Sequence, residues 1–140
     1  MPPSQSPPAH PAPPRYVDHL LWVDCTGGAV VGAAVLALSA PLSDLFGLPR
    51  GVLLVTGAAN VLYAAYSFSL ARRSRPSRGA VAALAVANVA WAPVCAGILA
   101  VWGLDASALG VAHFVLEGAY VGALGAVEWR WRDRLSGSGL

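Results

Sequence analysis

Four apolar runs divide the chain, each about 20 residues long, with short polar or proline-bearing breaks between them. They cover roughly Leu20 to Ala40, ended by Pro41; Val52 to Ala71, ended by Arg72 and Arg73; Gly79 to Trp102, with Pro93 inside; and Ala106 to Trp129. A helix rises about 1.5 Å per residue, so each run is long enough to cross a hydrocarbon core of about 30 Å. The pattern predicts an all-α fold, an integral membrane four-helix bundle. Its short loops make consecutive helices antiparallel neighbours.

Composition agrees with this picture. Hydrophobic residues make up 56% of the 140 positions and charged residues 11%, against about 25% charged in soluble domains. Residues 1–15, MPPSQSPPAHPAPPR, hold seven of the eleven prolines and too little apolar surface to fold, which predicts an extended tail. A secretory signal peptide is the rival reading of the N-terminus, but the apolar run after Arg15 is too long for most such segments. The expected organisation is a tail over 1–15, a bundle over 16–134 and a second tail over 135–140.

Charge adds an orientation. All nine basic residues other than histidine are arginines. Arg15, Arg72, Arg73, Arg75, Arg78, Arg130, Arg132 and Arg134 fall on one side of the four runs, and only Arg50 on the other. The positive-inside rule then places both termini in the cytoplasm, with the protein in the cell's inner (plasma) membrane. Tyr16, Trp22, Trp129 and Trp131 would sit at the inner interface and Trp102 at the outer one. A net charge of +2, spread over span ends, does not suggest nucleic-acid binding.

Helix rise also assigns depth. Measured from the inner end of each run, Glu117 lies at about 18 Å, Asn60 at about 16 Å, and Asn88 and Tyr120 at about 14 Å. Trp91 is at about 18 Å, Tyr63 at about 12 Å, His113 at about 24 Å, and Asp24, level with Tyr66, at about 6 Å. His113, Glu117 and Tyr120 follow the i, i+4, i+7 spacing of one helix face, and at Leu124 that stripe turns apolar. Thr56, Asn60, Tyr63 and Ser67 form a second stripe; Asn88, Trp91 or Ala92, and Cys95 form a third. Polar groups are costly in hydrocarbon, so these stripes should face one another around an internal cavity or a hydrogen-bonded seam. The segments Ala59–Ala64 and Ala87–Ala92 also echo each other, each with Asn three residues before an aromatic.

Glu117 and His113 are the leading candidates for chemistry. Their spacing lets the side chains touch, and a carboxyl in a dry site can act as an acid. Asp24 joins them as a candidate catalytic group at the inner mouth. Asn60, Tyr63, Tyr66, Asn88, Trp91, Tyr120 and Trp22 are the candidate substrate-binding residues, the aromatic ones through cation–π contact. The alternative for Glu117 is a neutral acid bonded to Asn60 or Asn88 that only locks the helices. No metal site is expected, since His113 and Glu117 lack a third ligand. No cofactor is expected either, because His19 and His113 are too far apart to hold one haem. Cys25 and Cys95 differ too much in height for a disulfide and read as packing residues. Gly27, Gly28 and Gly32 on the first run and Gly118, Gly122 and Gly125 on the fourth offer close helix contact, including a possible homodimer.

His-x-x-x-Glu at 113–117 and Asn-x-x-Trp at 88–91 resemble the pocket of emopamil-binding-protein-like sterol isomerases and the related membrane terpene cyclases. The resemblance implies an acid that protonates an alkene or epoxide and a Trp face that supports the carbocation. His113 and Glu117 would be the proton-handling pair, Asn88 would orient them, and Trp91 would face the cation. The two motifs stand here in the opposite chain order, and the family's long first loop is missing. The whole chain also resembles small four-span bacterial membrane proteins.

Three functions compete. The first is an enzyme or binding protein for a lipophilic small molecule, an acid–base isomerase or cyclase. The second is a dimeric proton-coupled transporter similar to the small multidrug resistance type, although that type carries its Glu on the first span. The third is an assembly subunit whose polar layer only fixes packing.

Overall fold

The computed structural model describes residues 19–137. The proline-rich segment 1–15, with Arg15, and Tyr16 lie outside the described residues, as do positions 138–140 of the expected C-terminal tail. The chain forms α1 (Leu20–Ala37), α2 (Ser39–Phe46), α3 (Arg50–Ala71), α4 (Arg78–Trp102) and α5 (Ala108–Leu135). All but α2 are long and apolar enough to cross a membrane.

The first expected run ends earlier than its apolar residues do. The proline ring of Pro41 supplies no N–H for the carbonyl of Ala37. The backbone ladder passes around this gap through Leu38 N to Ala34 O and Leu42 N to Leu38 O, both 2.9 Å. Helix α1 therefore stops at Ala37, and Ser39–Phe46 forms the short α2. Gly47 ends α2 in the left-handed region, at φ 66°. The fourth run is longer than expected: α5 continues through Arg130, Arg132 and Arg134 to Leu135, which packs with Leu21, Leu70 and Leu84. The boundary expected at residue 134 thus falls inside a helix that is still burying apolar surface.

Two serines start their helices. Ser77 Oγ accepts from Ala80 N at 3.2 Å at the start of α4, and Ser107 Oγ accepts from Gly110 N at 3.1 Å at the start of α5. Each satisfies an N–H that the first turn leaves without a partner. Ser107 also donates to Leu45 O at 2.8 Å, tying the start of α5 to α2.

The helices pack as two pairs, α1 along α3 and α4 along α5, while α3 and α4 meet only briefly. Small residues allow this. A Cβ on Gly32 would lie 2.9 Å from Gly57 O in α3, and one on Gly125 would lie 2.7 Å from Ala85 O in α4. Gly28 faces Ala64, and Gly118 and Gly122 face Cys95 and Ala92. Most of the glycine faces that the sequence offered to a homodimer are therefore used within the chain, where close backbone approach favours packing.

Apolar clusters close both ends. At the α2 end, Val35, Phe46, Leu48, Leu53, Cys95 and Phe114 pack together. At the arginine end the cluster is Leu21, Leu70 and Leu84. Among the described residues, the side-chain to side-chain hydrogen bonds between the long helices join Asp24, Asn60, Tyr63, Asn88, Trp91, Glu117 and Glu128.

Candidate functional site

A cavity of about 440 Å³ lies between the helix pairs. All four long helices contribute: α1 through Asp24, Gly27, Gly28 and Val31; α3 through Ala59, Asn60 and Tyr63; α4 through Ala87, Asn88 and Trp91; and α5 through His113, Leu116, Glu117, Tyr120 and Val121. Ligand pockets commonly enclose about 300–1,000 Å³, mostly apolar with a few fixed polar groups, so this space suits a small organic molecule.

Glu117 is the best-held polar group in the wall. Its Oε1 accepts from Asn60 Nδ2 at 2.8 Å and from Trp91 Nε1 at 2.9 Å. Its Oε2 lies 3.1 Å from His113 Nε2. Three helices therefore fix one carboxyl group: α3 through Asn60, α4 through Trp91 and α5 through His113. The His113 ring is fixed in turn by aromatic neighbours. It stacks on Phe46 of α2 with centroids 5.0 Å apart and meets Phe114 edge-on at 5.0 Å. The kinked α1–α2 connection thus reaches the site by setting the histidine's ring plane.

A second polar cluster lies nearer the arginine end. Asn88 Nδ2 donates to Asp24 Oδ1 at 3.3 Å and to Glu128 Oε2 at 2.9 Å. Tyr63 donates its hydroxyl proton to Asp24 Oδ2 at 2.9 Å. The single polar layer expected from helix rise is in fact two clusters. Asn60 and Trp91 go with Glu117, whereas Asn88 and Tyr63 go with Asp24.

Eight expected site residues line the cavity: Glu117, His113, Asp24, Asn60, Tyr63, Asn88, Trp91 and Tyr120. Two do not. Tyr66 donates to Ala80 O at 3.1 Å on the outside of the α3–α4 contact. Trp22 is exposed and meets Phe68 edge-on, centroids 5.7 Å apart. Each helical residue turns the chain by about 100°, so Trp22, two positions before Asp24, points away from it, and Tyr66 is rotated off the face of Tyr63. Two roles implied by the resemblance also meet a different arrangement. Asn88 bonds Asp24 and Glu128 and makes no bond to Glu117 or His113, and the indole N–H of Trp91 is held by the Glu117 carboxyl.

Glu128 is the residue that the sequence did not single out. It is fully buried, although it directly precedes Trp129 and Arg130 at the polar end of the run. Continuing the Glu117 stripe past Leu124 would have reached it. Eleven residues return to within about 20° of the starting face.

Cys25 and Cys95 are buried and unpaired, as packing residues are. Among the described residues, no group of three or more His, Cys, Asp or Glu side chains is placed to hold a metal ion. No protein-family model, curated protein or solved structure matches the chain.

Proposed function

We propose that this is an integral membrane protein, its termini on the cytoplasmic side, that binds a lipophilic small molecule between its helix pairs. In this reading it acts as an acid–base isomerase or cyclase. The observation that carries the reading is the cavity of about 440 Å³ with the Glu117–His113 pair in its wall. A purely structural carboxyl would be expected in a packed seam. This one borders open space large enough for a ligand.

The chemistry follows from the contacts. Oε2 of Glu117 faces His113 Nε2, so a proton can pass along that line and on to a bound ligand. Asn60 and Trp91 hold the other oxygen, which keeps the carboxyl pointing one way through such a transfer. Tyr63, Trp91 and Tyr120 supply aromatic surface beside it, suited to a developing positive charge. Leu116 and Tyr120 belong both to the cavity wall and to the exposed surface of the helices. This gives an apolar ligand a route in from the bilayer.

The test is ligand retention. The protein, extracted from membranes into nanodiscs, is denatured and its released small molecules identified by mass spectrometry. Gly27→Leu fills the cavity, since a Cβ there meets only the Tyr120 hydroxyl, at 3.9 Å. Wild type should retain an apolar compound that Gly27→Leu loses, with affinity falling about tenfold or more, or at least about 1.4 kcal/mol. Glu117→Gln should retain the compound but not convert it. Equal recovery from wild type and Gly27→Leu would defeat the binding reading, and proton flux in liposomes would favour transport.

A further inference from the structure

The Asp24–Asn88–Glu128 cluster lies outside the proton-handling pair described above, and its charge balance is unusual. Glu128 is fully buried. Its Oε2 accepts from Asn88, but its Oε1 is buried with no hydrogen-bond partner. Asp24, also buried, is better supplied: Tyr63 donates to one oxygen and Asn88 to the other. One Asn88 side-chain nitrogen thus serves two carboxyl groups.

Among the described residues, the surroundings of the two acids show no compensating charge. The side chains facing the two acids are Tyr63 and Ser67 from α3 and Asn88 from α4, with Asp24 itself on α1 and Glu128 on α5. None of these is a cation, and two ion pairs of the long helices, Arg78 with Asp133 and His113 with Glu117, involve neither acid. Two unneutralised carboxylates in a dry interior would bear a heavy desolvation cost in addition to their mutual repulsion. Such pairs elsewhere resolve the conflict by sharing a proton. The asymmetry of donors indicates where it sits. Asp24 has a donor on each oxygen, as an ionised carboxylate requires, and Glu128 has one oxygen bare.

We propose that Asp24, Asn88 and Glu128 form a proton-binding site at the arginine end of the cavity, with the proton on Glu128 and Asp24 as its ionised partner facing the cavity. The site does not depend on whether the cavity's occupant is chemically changed. It gives the cavity a fixed negative group at one end, backed by a stored proton one side chain away.

Infrared spectroscopy in D₂O at neutral pH tests this without altering the cluster. The chain has only two glutamates, Glu117 and Glu128. In Glu117→Gln protein labelled with ¹³C-glutamate, Glu128 is therefore the only labelled carboxyl. The protonated-carboxyl band should be present, should shift with the label, and should persist when sodium is replaced by choline. Glu128→Gln, where it folds, should remove the band, whereas Asp24→Asn should move it without abolishing it. Absence of the band, a band indifferent to the glutamate label, or one that appears only after sodium is withdrawn would each overturn the proposal. The last would make the occupant a metal cation.

Discussion

Asn60 on α3 and Glu117 on α5 are joined side chain to side chain at 2.8 Å, across the gap between the two helix pairs. With Asn88 to Asp24, this is one of two direct side-chain bonds among the described residues that cross from one pair to the other next to the cavity. Interhelical hydrogen bonds in membrane proteins average about 0.6 kcal/mol and reach about 1.7. Asn60→Ala is expected to cost about 1 kcal/mol in reversible unfolding, and the double-mutant cycle with Glu117→Ala should show a coupling of at least about 0.5 kcal/mol. Additive losses would mean that the two side chains do not support each other.

Close helix contact makes a sharper prediction. A Cβ at Gly125 would come within 2.6 Å of Asn88 Cβ and 2.7 Å of Ala85 O, and one at Gly32 within 2.9 Å of Gly57 O. Gly32→Val and Gly125→Val should each destabilise by about 1–3 kcal/mol or more, because backbone atoms cannot step aside as a flexible side chain can. Gly97 has nothing within 4 Å, so Gly97→Ala should be neutral or stabilising by up to about 1 kcal/mol. Thermal unfolding of the three variants side by side checks the contrast.

Gly47 combines two constraints. Its φ of 66° favours glycine, and a Cβ there would lie 2.7 Å from Asp105 O. Gly47→Ala should lower stability by more than about 1 kcal/mol. Because Phe46 beside it stacks on His113, the same variant should also disturb histidine ring resonances in NMR spectra. An unchanged histidine signal would separate the turn from the site.

The proposed orientation can be read with an impermeant thiol reagent. Ser74 and Asp44 are exposed on opposite ends of the helices, while Cys25 and Cys95 are buried and should stay silent. In intact cells Asp44→Cys should label and Ser74→Cys should label only after the membrane is opened. The reverse pattern would invert the topology.

Long apolar runs made the four long helices legible, because length and hydropathy are local properties. The break at Leu38 was half visible. Pro41 announced an end, but a proline in the first turn can also begin a helix, and α2 does so. Helix rise placed Glu117, Asn60 and Trp91 at one height, and they do meet. Rise says nothing about which helices are partners, so it merged Asn88 with that group, although Asn88 turns to Asp24 and Glu128. Glu128 escaped notice because an acid beside Trp129 and Arg130 reads as interfacial. Only the length of α5 beyond that point shows that the chain is still inside the fold there.

The pairing of α1 with α3 and α4 with α5 has a consequence for how the chain holds together. Each pair is zipped by its own glycines, and the covalent link between α3 and α4 is the short stretch 72–77. The molecule is in effect two half-molecules facing each other across a ligand-sized gap. Cut within that link and expressed from two genes, the halves should find each other in the membrane. A molecule filling the gap would then serve as the adhesive between them.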